Sequence, residues 1–222
     1  MLGEHIDTVL MKKLDSLKQT QRPNGSNVKV MFKRDIDFGY QHKRINIVFN
    51  AIGFYQLNML VKNDTVCFAS LIFGSEMGEI GGYDGFIRRH SIPYIDSTKA
   101  LHYVQARNQF YHSGKTLNDL KNELAINSIY ALRGGDQYEE TWDKLHIDTL
   151  VLRKDYVQLE SMLKSINCET QMYAFRGLTM LKKKHGKLPG NDQEIIDYII
   201  RRNTELESTA GDIGPIIWKA FK

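Results

Sequence analysis

Cysteine is almost missing from this chain. Only Cys67 and Cys168 occur among 222 residues, far apart and in segments of different type, which excludes a disulfide framework and a multi-cysteine zinc site. A free cysteine behaves as a small hydrophobe, so both thiols are expected in the core. Long apolar runs are lacking too. The longest, around 66–73 and 195–200, fall well short of the roughly 20 residues that a membrane-crossing helix needs. No membrane span is expected, and the chain reads as soluble. An excess of one charge is also lacking: 30 Lys and Arg stand against 26 Asp and Glu, a net +4. That balance argues against a nucleic-acid partner, and the basic clusters at Lys182–Lys184 and Arg201–Arg202 read as solvated helix faces. At the start, Glu4 and Asp7 occupy positions where a signal peptide would be basic, and no uninterrupted apolar core follows. The compartment stays open: cytoplasm if Met1 is the native start, periplasm or secretion if a cleaved signal once preceded it.

What is present is an ordinary folded composition, 42% hydrophobic and 25% charged, which places the chain among globular rather than disordered proteins. Ile6, Val9, Leu10, Leu14 and Leu17 recur at helical spacing and predict an amphipathic N-terminal helix, ended by the turn residues Pro23 and Gly25. The period then falls to two. Val28, Val30 and Phe32 alternate with Lys29, Met31 and Lys33; Ile45, Ile47 and Phe49 alternate with Arg44, Asn46 and Val48. Tyr55, Leu57, Met59 and Val61 lie opposite Gln56 and Asn58, and "KND" turns the chain into "TVCFASLIF", apolar on both faces as in a strand covered on both sides. These runs predict an antiparallel meander of about four strands. Five glycines between Gly74 and Gly85 then predict a long irregular loop, extending through "FIRRH".

Helical period returns after Pro93. One helix is expected to start at Asp96, and a second to run from a Thr116/Asp119 capping box to Gly134. A third has Asp155 and Gln158 at its start. A fourth carries Met172, Phe175, Leu178 and Leu181 and closes at Gly186. A fifth follows an Asn191/Glu194 pair with the stripe Ile195, Ile196, Ile199 and Ile200. The fold class is therefore α+β: a β-meander with an N-terminal helix, followed by an all-helical half of antiparallel hairpins. The parts are residues 1–92 and 93–222, packed as one domain or standing as two. Residues 150–203, with "KDYVQLESML" followed by "ETQMYAFRGLTML" and the small residues Ala174 and Gly177, resemble the HEAT-like helical hairpins that close many bacterial α+β proteins, a number of them exported. The resemblance implies a packing or docking module and transfers no functional residue.

Motifs that would announce chemistry fail on inspection. "YHSGKT" ends like a phosphate loop, but Gln109 stands where the loop needs its first glycine, and the preceding segment reads as helix. Ser113, Gly114 and Lys115 are expected to cap a helix, with Lys115 contributing little to stability. Asp35 and Asp37 start a calcium-loop spacing that Tyr40 and Asn46 break, leaving a turn. His102 and His112 stand about 15 Å apart along a helix and cannot share a metal; His146 and Asp148 lack a third ligand. No metal or cofactor is expected. The glycine-rich stretch concentrates the candidate binding residues: Tyr83, Asp84, Phe86, Arg88, Arg89 and His90 supply aromatic surface, one carboxylate and cations in one loop. The leading expectation is a non-catalytic protein-binding protein. The alternatives are a small hydrolase using Glu76 or Glu79 with His90, and a weakly basic nucleic-acid binder.

Overall fold

The computed structural model describes residues 20–21, 27–49, 53–76, 86–126, 128–134, 139–186, 188, 192–210 and 213–221. The chain divides into two compact units, Met1–Ala106 and Arg107–Lys222. The expected N-terminal helix and the Asn191 cap lie outside the described residues.

The first unit is built on one antiparallel sheet of six strands in sequence order: β1 (Thr20–Gln21), β2 (Asn27–Asp35), β3 (Tyr40–Phe49), β4 (Gly53–Lys62), β5 (Thr65–Glu76) and β6 (Phe86–Ile95). Turn chemistry sets its register. Asn63 and Asp64 both take positive φ, 50° and 58°, so Lys62 pairs with Thr65 across a two-residue turn. Phe38 and Gly39 do the same between β2 and β3, where Tyr40 donates its backbone N–H to the Asp37 carbonyl. The aspartate pair is thus a turn, as its spacing suggests.

One face of the sheet is apolar: Ile45, Met59, Val61, Val66 and Ala69 pack with Val28, Val30, Ile47 and Leu57. Full burial of such side chains contributes about 1.5–3 kcal/mol each. A bulge between Val30 and Phe32 breaks the expected alternation, pairing Val30 with Ile45 but Phe32 with Arg44. Phe32 therefore leaves the face that Val28 and Val30 share. The expected loop also yields to strand. Gly74–Glu76 extends β5 and Phe86–Ile95 forms β6, with Gly74 opposite Arg88 and Phe73 opposite Arg89. A sheet edge offers backbone hydrogen bonds whatever the side chains, and that overrides weak local propensity.

Helix α1 (Ser97–Tyr111) follows, capped by Asp96, which accepts from the Lys99 N–H at 3.1 Å. It runs through the division between the units. Helix α2 (Leu117–Ala125) has the expected capping box, Thr116 and Asp119 bonding reciprocally, but stops well short of Gly134. The cause is tertiary. Tyr130 donates its N–H to the Glu207 carbonyl, and the Tyr173 hydroxyl accepts from the Ala131 N–H while lying 2.8 Å from the Ala131 carbonyl. Those backbone groups are thereby unavailable to a helix.

The remaining elements are β7 (Arg133–Gly134), β8 (Glu139–Glu140), α3 (Trp142–Arg153), α4 (Tyr156–Leu163), α5 (Cys168–His185), α6 (Asp192–Arg202), β9 (Glu205–Ala210) and β10 (Ile213–Lys219). The second half is thus not all-helical: β7–β8 and β9–β10 are antiparallel pairs. Helix α5 starts at the Asn167 cap and ends at Gly186, φ 87°. Gly177 lets α3 and α4 close on it, since a Cβ there would stand 2.7 Å from Leu159 and 3.1 Å from Ile147. In α6, Ile195, Ile196 and Ile199 are buried, but Ile200 is exposed, contrary to the expected four-residue stripe. Both cysteines are free and buried.

Candidate binding cleft

Of the six residues singled out as a binding loop, Tyr83 and Asp84 lie outside the described residues. Phe86, Arg88, Arg89 and His90 belong to β6, the last strand of the sheet. His90 pairs with Ile72 and Phe86 with Glu76, so four strand residues, about 13 Å, separate Glu76 from His90. Backbone placement alone therefore sets Glu76 apart from His90, and Glu79, the other carboxylate of the hydrolase reading, lies outside the described residues.

The segment that mimics a phosphate loop is a structural clasp. Asn108 receives the Ser113 hydroxyl at 2.7 Å and the Lys115 N–H at 2.9 Å on its side-chain oxygen, and donates to the Lys115 carbonyl. Lys115 is less idle than expected: its ammonium meets Glu123 at 2.5 Å, and the other Glu123 oxygen accepts from the Ser165 hydroxyl and the Ile166 N–H. This carboxylate fixes the turn between α4 and α5. His102, His112 and His146 are exposed. Among the described residues no three His, Cys, Asp or Glu side chains cluster as metal ligands.

Two places gather unusual chemistry. The first is the other face of the sheet, where Arg34, His42, Arg44, Gln56, Asn58 and Ser70 are each at most 5% exposed. Both guanidiniums lie over the Phe32 ring, Arg34 at 4.1 Å and Arg44 at 4.9 Å. Asn58 Oδ1 accepts from Arg44 Nε at 3.0 Å and sits 3.2 Å from His42 Nε2. Arg44 can only donate, so that Asn58 atom is oxygen and His42 carries its proton on Nε2. Burial first, then Arg34 and Arg44, holds the His42 pKa well below its ordinary value. This face is closed to solvent, and its chemistry serves the fold.

The second is open. On α5, Met172, Phe175, Arg176, Thr179, Met180 and Lys183 form a stripe at helical spacing that lines one side of a cleft of about 250 Å³. Tyr130, Trp218, Ala220 and Phe221 complete its lining. Each aromatic is held in place. Tyr130 packs at 4.7 Å from Tyr173 and stacks at 6.3 Å on Trp218; Phe221 meets Phe175 edge-on at 5.2 Å. Asn203 pins the Phe221 backbone from both sides, donating to its carbonyl and accepting from its N–H.

Two cations stand in this apolar lining. Arg176 Nε is buried without a hydrogen-bond partner, and among the described residues neither Arg176 nor Lys183 joins an ion pair. Arg176 lies near enough to Tyr130 to oppose the rise that burial imposes on its pKa. Trp218 remains 40% exposed at the rim, and among the described residues β10 pairs only with β9. The Lys182–Lys184 run and the Met172/Phe175 stripe were visible in sequence. Tyr130, Trp218 and Phe221 were not, because they arrive from segments some 40 residues away on either side.

No family model, curated protein or solved structure matches this chain. The functional reading therefore stands on the geometry.

Proposed function

We propose that the chain is a non-catalytic binding protein whose cleft beside α5 takes up a short segment of a partner protein, one carrying apolar side chains and a carboxylate. The observation that carries this reading is the Arg176 guanidinium, its Nε buried and unbonded in an aromatic cleft. A buried donor of that kind costs about 1–3 kcal/mol until it is satisfied, and more when it is charged. A carboxylate satisfies it bidentately. Aromatic and arginine side chains are also the commonest energetic anchors of interfaces. The edge of β10 suits an extended segment, which adds its backbone as a further strand while alternate side chains enter the cleft. The likeness of residues 150–203 to helical docking hairpins points the same way.

Peptide display against the full chain tests this. Enriched sequences should combine an aromatic or large aliphatic residue with Asp or Glu. Trp218 reports binding by fluorescence once Trp142→Phe has removed the second tryptophan. Arg176→Ala and Trp218→Ala should each weaken a selected peptide about 10- to 100-fold. Enrichment of neutral or basic peptides alone, or affinities unchanged by both substitutions, would sink the reading.

A further inference from the structure

Helix α3 presents an apolar stripe to solvent. Trp142 is 88% exposed, Leu152 79% and Leu145 41%, and Val157, just beyond the helix, is 79% exposed. At about 100° per residue, Trp142, Leu145, Thr149 and Leu152 fall within an arc of about 80°. Ile147, Leu150 and Val151, all buried, face the opposite way into the unit. A helix with a satisfied core face and a second apolar face on its outer side is built to meet something else.

The charges around the stripe select the partner. At the N-terminal end of α3, Glu139 and Glu140 are exposed; at its C-terminal end, Arg153 and Lys154 are exposed. Among the described residues Glu140 bonds only Lys144, and Glu139, Arg153 and Lys154 join no ion pair. A parallel copy would place acid on acid and base on base. An antiparallel copy places Arg153 and Lys154 opposite Glu139 and Glu140, twice, and sets the two helix dipoles head to tail. The same operation brings Trp142 against Leu152 of the other copy and Leu145 against Thr149, so each large side chain meets a smaller one. Lys144, which already bridges Glu140 of β8 and Asp148 of its own helix, then lies near the second Asp148.

We infer that the outer face of α3 is a self-association surface, on which two copies of this chain pair about a two-fold axis. Such isologous contacts are the commonest form of protein oligomer, and an exposed tryptophan at the end of the stripe is the kind of side chain that anchors one. The inference uses a different face from the cleft residues and does not depend on peptide binding there.

Sedimentation of the full chain over a concentration series tests it. Wild type should pass from monomer to dimer, and Trp142→Glu or Leu152→Glu should weaken the dimer by about tenfold or more while leaving unchanged the melting temperature at concentrations where wild type is monomeric. The charges give a second reading that needs no apolar substitution. Glu139→Lys with Glu140→Lys in one chain, and Arg153→Glu with Lys154→Glu in another, should each self-associate more weakly than wild type. Mixing the two variants should restore a dimer containing one of each. A chain that stays monomeric at every concentration would overturn the inference. So would a dimer indifferent to Trp142→Glu and Leu152→Glu, or charge variants that fail to recover on mixing. Binding of a foreign helix to the stripe without self-association would assign it to another protein instead.

Discussion

The two units bury polar groups in different ways. In the sheet unit a single amide, Asn58, serves two donors beneath a face shared with Arg34 and Phe32. In the helical unit the buried polar side chains reach backbone at the joints between elements. Arg107 donates to the Ser165 carbonyl, Gln171 to the Leu163 carbonyl, and Glu169 accepts from the Glu207 N–H. The first pattern is a layer that stands or falls together. The second is a set of separate fastenings, each fixing where one connection runs, and beside them the Arg176 Nε lies buried without a hydrogen-bond partner at the cleft along α5. Polarity that is closed off stabilises a fold, whereas polarity left open invites a ligand.

The sharpest way to break this contrast is at Asn58. Asn58→Ala takes the shared acceptor from a buried arginine and a buried histidine, and should cost about 3–5 kcal/mol in urea unfolding, since each buried donor that loses an acceptor costs about 1–3 kcal/mol and a charged one more. Glu123→Ala removes one joint: the Ile166 N–H and the Ser165 O–H lose their acceptor, while the Ser165 oxygen still accepts from the Asn167 N–H. It should cost less, about 2–3 kcal/mol. Equal losses at the two sites would erase the distinction between layer and fastening.

Acid should separate the units by sign. The His42 pKa is lowered in the folded chain, so below the ordinary value of 6.5 the unfolded chain takes a proton that the folded chain refuses. Its contribution is complete above pH 6.5 and is lost as pH falls from there. Asp192 behaves oppositely. Burial, then the nearby Glu160 and against the pull of Lys164, raises its carboxyl from 3.8 to about 6, and its Oδ2 has no hydrogen-bond partner. The folded chain therefore holds a proton that the unfolded chain has released, and the stability this gives is present below pH 3.8 and lost as pH rises through about 6. Asp192→Asn should raise the melting temperature at pH 7 and leave it nearly unchanged at pH 4. A variant equally shifted at both values would show that the carboxyl titrates normally.

Much of the scaffold was legible because it is specified locally. The alternation around Leu57 and Met59, the Asn63–Asp64 turn, the Thr116/Asp119 box and the closure of α5 at Gly186 each need only a few neighbouring residues. What escaped needs partners distant in sequence. The end of α2 is decided by Glu207 and Tyr173, β6 by the free edge of β5, and the face of Phe32 by one extra residue in β2. Helix α3 hid because its outer face is as apolar as its inner one, which blurs the periodicity that signals an amphipathic helix. The cleft escaped for the same reason as α2: its walls are brought together by contacts distant in sequence, among them the β9–β10 pair, the Tyr130–Glu207 backbone bond and Asn203.

The smallest effect on stability should come from Trp218, and that is what makes it informative. Its ring is 40% exposed and stacks on Tyr130 with the two rings inclined by only 30°. Removing it takes little from the core, so Trp218→Ala should shift unfolding by no more than about 1 kcal/mol, near the value of one aromatic pair. Arg176→Gln should be neutral or slightly stabilising, since it removes a charged group whose Nε is buried without a partner. Both substitutions should nevertheless abolish most of the affinity for an acidic, aromatic peptide. A residue that serves the fold loses stability and function together; one placed for a ligand loses function alone. Large losses of stability at Trp218 and Arg176 would return the cleft to the fold and withdraw the binding role argued for it.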